Sequence, residues 1–159
     1  MFRIGTGFDV HAFKPGNKIK LCGVEIPFDR SLAGHSDADV ALHSLTDAIL
    51  GALALGDIGL HFPDTDSRWK DSDSEIFLSW SIKEAKKRNF ELSNIDLTII
   101  CEKPKINEHR QRLILNLSKI CSLEQNKINV KATTTERLGF TGRQEGIASI
   151  CSILLNEIS

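Results

Sequence analysis

The residues Leu97-Thr98-Ile99-Ile100-Cys101 form an apolar run in which hydrophobic side chains occupy both odd and even positions. Successive side chains of a strand point to opposite faces of the sheet, so this pattern predicts a strand that is buried on both faces. A sheet containing such a strand needs a covering layer on each side. The segments before and after the run show where one of these layers comes from.

The remaining segments predict the order strand, hairpin, helix, helix, strand, helix, strand, strand. Strands are expected at 2–13, 129–133 and 147–158, and a hairpin at 18–26 bends at Gly23. The first helix is capped by Ser36 and ends near Gly56, and two more helices are expected at 74–88 and 106–121. We therefore predict a single α+β domain over residues 1–159, a mixed β-sheet with helices packed on one face. A symmetric oligomer would then cover the second face.

The composition is that of a globular domain and argues against two classes of binding partner, nucleic acids and membranes. Twenty basic and 21 acidic residues leave a net charge of −1, so no overall field favours a nucleic acid or an anionic membrane. No stretch reaches the roughly 18 apolar residues of a membrane span, and the first residues lack the apolar core of a signal peptide. Scattered cysteines with apolar neighbours predict reduced, buried thiols and a cytoplasmic protein: Cys22, Cys101, Cys121 and Cys151.

Asp9, His11 and His43 form a candidate metal site. Asp9 and His11 lie two residues apart on a predicted strand and therefore leave the same face, and His43 lies in a predicted helix. One carboxylate and two imidazoles suit catalytic zinc with an open fourth position. The alternative is a surface Asp–His pair and an unrelated helix histidine. Asp39 and Asp47 lie four residues to either side of His43, where either could orient its imidazole.

Three loops could bind phosphate, sugar or a second cation. The segment 34–36 precedes a helix N-terminus, which suits an anion or an ordinary cap. The loop 56–66 could hold a ribose through Asp57 and a polyol or metal through Asp64 and Asp66, or be a solvated turn. The segment 133–136 offers hydroxyls beside Glu136, which suits phosphate oxygens with magnesium, or is a threonine cluster before a glycine turn.

Together with His43, four segments resemble the 2-C-methyl-D-erythritol 2,4-cyclodiphosphate synthase family along nearly the whole chain. They are 5–11 (GTGFDVH), 34–40 (GHSDADV), 56–66 (GDIGLHFPDTD) and 132–143 (ATTTERLGFTGR). The resemblance implies a homotrimer with its sheets inward and its active sites between adjacent subunits. It also implies the substrate 4-diphosphocytidyl-2-C-methyl-D-erythritol 2-phosphate, whose 2-phosphate attacks the β-phosphorus, expels CMP and closes a cyclic diphosphate.

The same resemblance assigns roles to residues. Asp9, His11 and His43 would hold zinc, Glu136 would hold magnesium or manganese, and His35 and Thr134 would stabilise the transition state. Asp57 would then lie at the methylerythritol end and not at a ribose. The implied contacts near the metal and the methylerythritol phosphate are Asp9, Val10, His11, His35, Ser36, Asp57, Ile58, Gly59, Phe62, Pro63, Asp64, Thr65 and Asp66. Those at the cytidine and phosphates are Cys101, Glu102, Lys103, Pro104, Lys105, Ile106, Ala132, Thr133, Thr134, Thr135 and Glu136.

Phe140 and Arg143 match positions that face the central channel of the family trimer, where an isoprenoid diphosphate would bind. Many members carry a glutamate where this chain has Ile150, so we expect either that Arg143 is freer to meet a phosphate or that the cavity differs in occupancy. Some members are fused to the preceding cytidylyltransferase, and 159 residues leave no room for that domain. We therefore expect a single-function chain.

Two other functions remain open on the residues alone. A zinc-dependent phosphohydrolase could use the same three ligands, with a water and a general base at the metal. A non-enzymatic interaction module could use the metal only for stability. In the module, loss of His43 would unfold the domain, whereas in the enzyme it would leave a folded and inactive assembly.

Overall fold

The computed structural model describes residues 1–158, which form seven strands and five helices. The strands are β1 (Phe2–Pro15), β2 (Lys18–Leu21), β3 (Val24–Pro27), β4 (Arg30–Leu32), β5 (Phe90–Ile100), β6 (Ile128–Thr133) and β7 (Gly146–Glu157). The helices are α1 (Val40–Ala52), α2 (Ile58–His61), α3 (Glu75–Lys87), α4 (Arg110–Cys121) and α5 (Gly139–Gly142). Single 3₁₀ turns lie at Ser67–Trp69, Ile106–Glu108 and Gln125–Lys127.

Five strands form a mixed sheet in the order β4-β1-β7-β5-β6, and β2 and β3 form a separate hairpin. The β5–β6 pair is parallel, and the other neighbours in the sheet are antiparallel. Helix α1 packs on β1 and β7, α3 packs on β5, and α4 packs on β6. The predicted α+β architecture with a mixed sheet and helices is therefore confirmed.

Helix α1 lies unusually close to strand β1 because two glycines face it. A Cβ atom added to Gly5 would lie 1.8 Å from the carbonyl oxygen of Ala48, and one added to Gly7 would lie 2.0 Å from that of Ser44. Neither position has room for a side chain. Since Gly5 meets Ala48 and Gly7 meets Ser44, the helix runs antiparallel to the strand and is held in a defined register.

The opposite face of the sheet carries apolar side chains that no helix covers. The even-numbered residues of β1 point to this face, and Phe2, Ile4 and Phe8 are 68%, 75% and 55% exposed. Phe8 pairs with the exposed Ile150 across β7. Leu97 and Ile99 are buried under the helices, whereas Ile100 on the open face is only half-buried. An apolar surface of this kind typically marks an interface.

The predicted long elements agree with the structure and the short ones were missed. The ambiguous segment 147–158 is indeed a strand, but β5 begins at Phe90 and not at Leu97. An irregularity between Leu92 and Asn94 disturbs the two-residue alternation there, which hid the first half of the strand. Strand β4 and helices α2 and α5 have only three or four residues, too few to show a period.

The predicted start of the first helix was wrong. Asp39, not Ser36, is the N-cap of α1, and its Oδ1 accepts a hydrogen bond from the backbone N–H of Leu42 at 3.0 Å. The same carboxylate accepts the N–H groups of Cys22 and Gly23, which ties the hairpin to the helix. Burial raises the pKa of Asp39 to about 6 despite these bonds. The helix ends at Ala52, four residues before Gly56.

All four cysteines are buried and unpaired, as predicted. Burial raises the pKa of Cys101 to about 11 and that of Cys121 to about 12, so both thiols stay protonated and unreactive near neutral pH. Among residues 1–158, no helix has both the length and the apolar character that crossing a bilayer requires.

Candidate metal centre

Strand β1 and helix α1 bring the three predicted metal ligands together. Asp9 and His11 continue the helix-facing side of β1 after Gly5 and Gly7. Because α1 runs antiparallel to β1, these two positions reach the first turn of the helix, which carries His43. The glycine contacts that set the register of the helix therefore also set the position of the site.

The three donor atoms form a nearly equilateral triangle. His11 Nε2 lies 3.0 Å from His43 Nδ1 and 3.0 Å from Asp9 Oδ2, and His43 Nδ1 lies 3.1 Å from the same carboxylate oxygen. Ligands of tetrahedral zinc lie about 3.3 Å apart, so the triangle fits zinc after a small expansion. Two imidazole nitrogens and one carboxylate oxygen are the donor set of a catalytic zinc site whose fourth position is open.

The electrostatics of the triangle favour a bound cation. Burial raises the pKa of Asp9, but the adjacent imidazoles of His11 and His43 outweigh it and bring the pKa down to about 2. Burial lowers the pKa of His11, but the hydrogen bond and charge of Asp9 outweigh it and raise the pKa above its usual value of 6.5. Without a metal, a proton on His11 neutralises the carboxylate, so proton and metal compete for the site.

Hydrogen bonds outside the triangle fix which nitrogen of each histidine faces it. His11 Nδ1–H donates to the carbonyl oxygen of Ala33 at 2.6 Å, which leaves the Nε2 lone pair for a metal. His43 Nε2 lies 2.7 Å from Ser74 Oγ and 3.1 Å from Ser36 Oγ. Ser74 was not predicted from the sequence, because no regular spacing links it to residue 43.

The predicted orienting role of Asp39 and Asp47 was wrong. Asp39 caps the helix, and Asp47 Oδ1 accepts the backbone N–H of Ile58 at 2.7 Å. Residues that lie four apart on an isolated helix are neighbours on the same face, which is why either carboxylate was expected to reach the His43 imidazole. Here both carboxylates are taken by backbone donors of other segments, which a single-helix argument does not reveal.

A cleft of about 490 Å³ opens beside the triangle. It contains most of the residues predicted near the methylerythritol end, together with two aromatic residues that were not predicted, Trp69 and Phe77. Its lining consists of His11, Gly34, His35, Ser36, His43, Ile58, Gly59, Phe62, Pro63, Asp64, Trp69 and Phe77. The ring centroid of Phe62 lies 4.6 Å from that of Phe77, with the rings tilted, and 5.1 Å from that of Trp69, edge to face, which gives the cleft an apolar wall. His35 Nε2 lies 3.2 Å from the carbonyl oxygen of Asp66.

Two acidic residues of the loop 56–66 have structural roles in the chain. Asp57 caps α2 by accepting the N–H of Leu60 at 2.9 Å. Asp66 pairs with Arg68 at 2.6 Å and caps the following turn. These carboxylates and Thr65 do not line the cleft, so a contact with a ligand would come from the rim of the loop.

A second, smaller pocket of about 170 Å³ contains most of the residues predicted to bind the cytidine and phosphates. Its lining combines the segment after β5 with the end of β6: Cys101, Glu102, Pro104, Lys105, Ile106, Asn107, Ala132, Thr133 and Thr134. The lining includes Asn107, which was not predicted, but not Lys103, Thr135 or Glu136. The prediction that these two segments meet is therefore correct in space.

The loop after β6 places Glu136 in an uncommon conformation. Glu136 and Arg137 have φ angles of 53° and 64°, and Thr134 Oγ1 donates to Glu136 Oε1 at 3.0 Å. Two consecutive non-glycine residues at positive φ are costly and occur mostly where function demands them. One exposed carboxylate fits magnesium or manganese, which take few protein ligands and several phosphate oxygens.

The cleft and the pocket lie at the same end of the sheet but not side by side. In the register of the sheet, Val10 and Thr133 lie in one row, with Ala148 and Ile100 between them. Three strand spacings separate β1 from β6, which is about 14 Å. A single chain therefore holds the two predicted halves of the site apart.

The expectation for Arg143 was wrong. Its guanidinium pairs with Glu145, with Nε 2.9 Å from Oε1, so it is not left without a carboxylate by the isoleucine at position 150. Glu145, two residues after Arg143, provides the carboxylate that position 150 lacks. Phe140 is partly exposed on the neighbouring turn.

Metal binding should weaken as the pH falls. A metal must displace the proton from His11, whose pKa is raised, so the apparent dissociation constant of zinc should rise about tenfold per pH unit once the pH drops below that pKa. Calorimetric titration of zinc between pH 8 and 5.5, in buffers of different ionisation enthalpy, measures both the affinity and the released protons. A dissociation constant that stays constant over this range would contradict the expectation.

Comparisons with known proteins agree with the site and the fold. The profile of the YgbB family, described as such, matches residues 2–156. The chain is 55% identical to a protein of Roseobacter denitrificans named 2-C-methyl-D-erythritol 2,4-cyclodiphosphate synthase, covering 96% of both chains. It is 56% identical to the bifunctional enzyme IspD/IspF of Paracoccus denitrificans, covering 96% of this chain but only 40% of that protein. The structure of the Plasmodium falciparum IspF CDP complex superposes with a TM-score of 0.88 at 35% identity, covering 99% of this chain and 97% of that one.

Proposed function

The chain belongs to the YgbB family, and on that premise we propose that it is a metal-dependent cyclising phosphorus–oxygen lyase. The proposed substrate is 4-diphosphocytidyl-2-C-methyl-D-erythritol 2-phosphate, and the products are 2-C-methyl-D-erythritol 2,4-cyclodiphosphate and CMP, in the non-mevalonate route to isoprenoids. The observation that carries the proposal is the triangle of Asp9, His11 and His43, of which the two histidines line the larger cleft. The 55% identity to a synthase of equal length supports the same reaction.

The reaction exchanges one phosphorus–oxygen bond for another. An oxygen of the 2-phosphate bonds to the β-phosphorus, and the bond from that phosphorus to the oxygen bridging the α-phosphate breaks, so CMP leaves with the electron pair. No covalent bond to the protein is needed. The tasks left to the protein are to hold the two phosphates in line and to offset their negative charges.

Asp9, His11 and His43 would hold zinc, which when bound supplies Lewis-acid polarisation of a β-phosphate oxygen. Glu136 would hold magnesium or manganese at the α- and β-phosphates, in keeping with its single exposed carboxylate. His35 and Thr134 would donate hydrogen bonds to oxygens whose charge grows in the transition state. The apolar wall around Phe62 would face the carbon skeleton of the methylerythritol.

The trimer and the shared active site are part of the proposal. The open face with Phe2, Ile4 and Phe8 supports assembly with the sheets inward. The separation of about 14 Å between β1 and β6 supports a site in which the metal cleft of one subunit meets the cytidine pocket of its neighbour. The substrate would then span both chains, with the base near Ala132 and Thr133 and the charge of Lys105 near phosphate.

The proposal also covers the ligand of the central channel, the cellular compartment and the activity of the segment shared with the bifunctional relatives. An isoprenoid diphosphate would bind near Phe140 and Arg143, where the guanidinium has to exchange Glu145 for phosphate. Buried, protonated thiols support a reducing compartment such as the cytoplasm. The chain spans about 40% of the length of the bifunctional relatives it matches, and the proposed activity is that of the shared segment alone.

Incubation of the protein with the diphosphocytidyl substrate, zinc and magnesium tests the function. We expect equimolar CMP and a cyclic diphosphate, identified by phosphorus NMR and mass spectrometry. A linear methylerythritol phosphate, carrying oxygen from labelled water, would contradict cyclisation and indicate a phosphohydrolase. Absence of any product in a folded, metal-loaded protein would contradict both.

A further inference from the structure

We propose that Ser74, backed by Asp37 and Lys20, is a positioning residue that fixes the His43 imidazole so that its Nδ1 lone pair faces the metal. The inference deepens the proposed metal site and rests on the proposed function for its biological meaning. None of these three side chains lies in the wall of the cleft. Their effect on the reaction would therefore pass through His43 and through Ser36, whose Oγ lies 3.4 Å from Ser74 Oγ.

The hydroxyl of Ser74 does not make the capping hydrogen bond that its position in the chain predicts. Ser74 is the N-cap residue of α3, where a serine oxygen usually accepts a backbone N–H of the first helical turn. It makes no such bond here. Its side chain is fully buried and instead lies between His43 Nε2, at 2.7 Å, and a carboxylate oxygen of Asp37.

The direction of each hydrogen bond follows from Asp37. Burial raises the pKa of this carboxyl, but hydrogen bonds from Ser74 and Lys20 outweigh it and hold the pKa below its usual value. An ionised carboxylate can only accept, so the Ser74 hydroxyl donates its proton to Asp37. The lone pairs of Ser74 Oγ are then left to accept a proton from His43 Nε2–H. This tautomer leaves His43 Nδ1 unprotonated, as a metal ligand requires.

Lys20 completes the chain of contacts at the surface. Its Nζ lies 3.0 Å from Asp37 Oδ2 and 3.0 Å from Asp73 Oδ2. Lys20 belongs to β2 of the hairpin, Ser74 to the start of α3 and His43 to α1. The hairpin, the start of α3 and helix α1 are thus linked by successive polar contacts that end at the His43 imidazole. These contacts restrain the rotation of the ring as well as its tautomer.

Ser36 is a second neighbour of His43 Nε2, at 3.1 Å, and differs from Ser74 in its surroundings. Ser36 lines the cleft, whereas Ser74 does not. The geometry thus divides the work between two serines. Ser74 holds the imidazole through the shorter bond, and Ser36, whose Oγ also lies 3.4 Å from Ser74 Oγ, presents its hydroxyl at the wall of the cleft.

Replacement of Ser74 by alanine tests the inference. We expect the zinc affinity of the full chain, measured by competition with a chromophoric chelator, to fall about 10- to 100-fold. In the zinc-free protein, ¹⁵N NMR of the imidazoles should show His43 shifting from the Nε2–H tautomer toward a mixture. Ser74→Thr retains the hydroxyl and should restore most of the affinity and the tautomer.

Ser81→Ala is the matched control. Ser81 lies two turns further along α3, is equally buried and donates its hydroxyl to the carbonyl oxygen of Leu78. Its replacement removes the same atoms without touching the site, so zinc affinity should not change. If Ser74→Ala proves too unstable to purify, Asp37→Asn removes the charge that orients the hydroxyl and should weaken zinc in the same direction.

The inference is overturned if Ser74→Ala binds zinc as tightly as Ser81→Ala, if the His43 tautomer is unchanged, or if the wild-type chain binds no zinc. These readouts need no substrate. Weakened zinc binding in Ser74→Ala, in a chain that does not cyclise the diphosphocytidyl compound, would support the positioning role and contradict the proposed reaction.

Discussion

Replacement of His43 by alanine should abolish stoichiometric zinc binding and lower kcat by at least about a thousandfold, while the protein remains folded. A Lewis acid supplies several kcal/mol of transition-state stabilisation, and each 1.36 kcal/mol corresponds to a factor of ten in rate. His43 provides one of only three ligands and is the one contributed by the helix. Two ligands on one strand do not hold zinc in competition with water.

The fold should survive this change because its main supports lie elsewhere. Helix α1 is held to the sheet by the Gly5 and Gly7 contacts and by buried residues such as Leu42, Leu45 and Ile49. Loss of the imidazole removes contacts with Phe77 and Ser74, a change of about 1–3 kcal/mol. Elemental analysis, thermal melting and sizing of the variant measure binding, stability and assembly.

His109→Ala is the control for this experiment. His109 is also partly buried, but it lies at the start of α4, and its side chain makes no capping bond. It should bind zinc and turn over substrate like the unaltered protein. If His43→Ala instead unfolds or dissociates, the metal is the support of the fold and the interaction-module alternative is favoured over the enzyme.

Replacement of Gly7 by alanine should destabilise the protein by about 3 kcal/mol or more, the upper end of the overpacking range. The added Cβ would lie 2.0 Å from the carbonyl oxygen of Ser44 and 2.7 Å from the nitrogen of Ala48. Both are helix backbone atoms and cannot rotate away as a flexible side chain could. The helix would have to retreat by about 1 Å, because packed interiors leave no spare volume.

The same retreat should reach the metal site. It would carry His43 away from Asp9 and His11, so zinc affinity should fall together with the free energy of unfolding. Denaturant titration at fixed protein concentration and chelator competition measure the two effects. A Gly7→Ala protein as stable as the unaltered one would contradict the close packing of α1 on β1.

Gly51→Ala is the matched control on the outer side of the same helix. A Cβ at Gly51 would meet no atom within 4 Å. Alanine is the better helix former, so this variant should gain about 0.5–1 kcal/mol and bind zinc unchanged. A lower free energy of unfolding in Gly7→Ala and a higher one in Gly51→Ala would separate the effect of packing from the effect of losing a glycine.

Much of the fold was predictable where elements are long enough to repeat. Strands β1 and β7 and helix α3 span 12 to 14 residues, over which apolar periodicity is visible. The three- and four-residue elements show no period, and the irregular first half of β5 hides its alternation. The wrong cap, Ser36 in place of Asp39, arose because both residue types cap helices well and lie only three positions apart.

The metal ligands were predictable for a local reason, and the residues that orient them were not. Asp9 and His11 share a face by strand geometry, and His43 follows from a helix in the next segment. Ser74 and Ala33 contact the imidazoles from segments that are distant in the chain, so no regular spacing in the sequence predicts these contacts. Asp39 and Asp47 looked suitable on an isolated helix, but their carboxylates are taken by backbone donors from other segments.

The order of residues was sufficient to single out Asp9, His11 and His43 as candidate metal ligands, because ligand type and strand or helix periodicity are local properties. The folded arrangement was needed for everything that depends on distance between segments. It brings Asp9, His11 and His43 to 3.0–3.1 Å, turns Ser74 from a helix cap into a support for His43, and leaves about 14 Å between β1 and β6. These features arise when separate elements pack: the close contact of Gly5 and Gly7 with α1 sets the triangle, and the strand order sets the distance between β1 and β6.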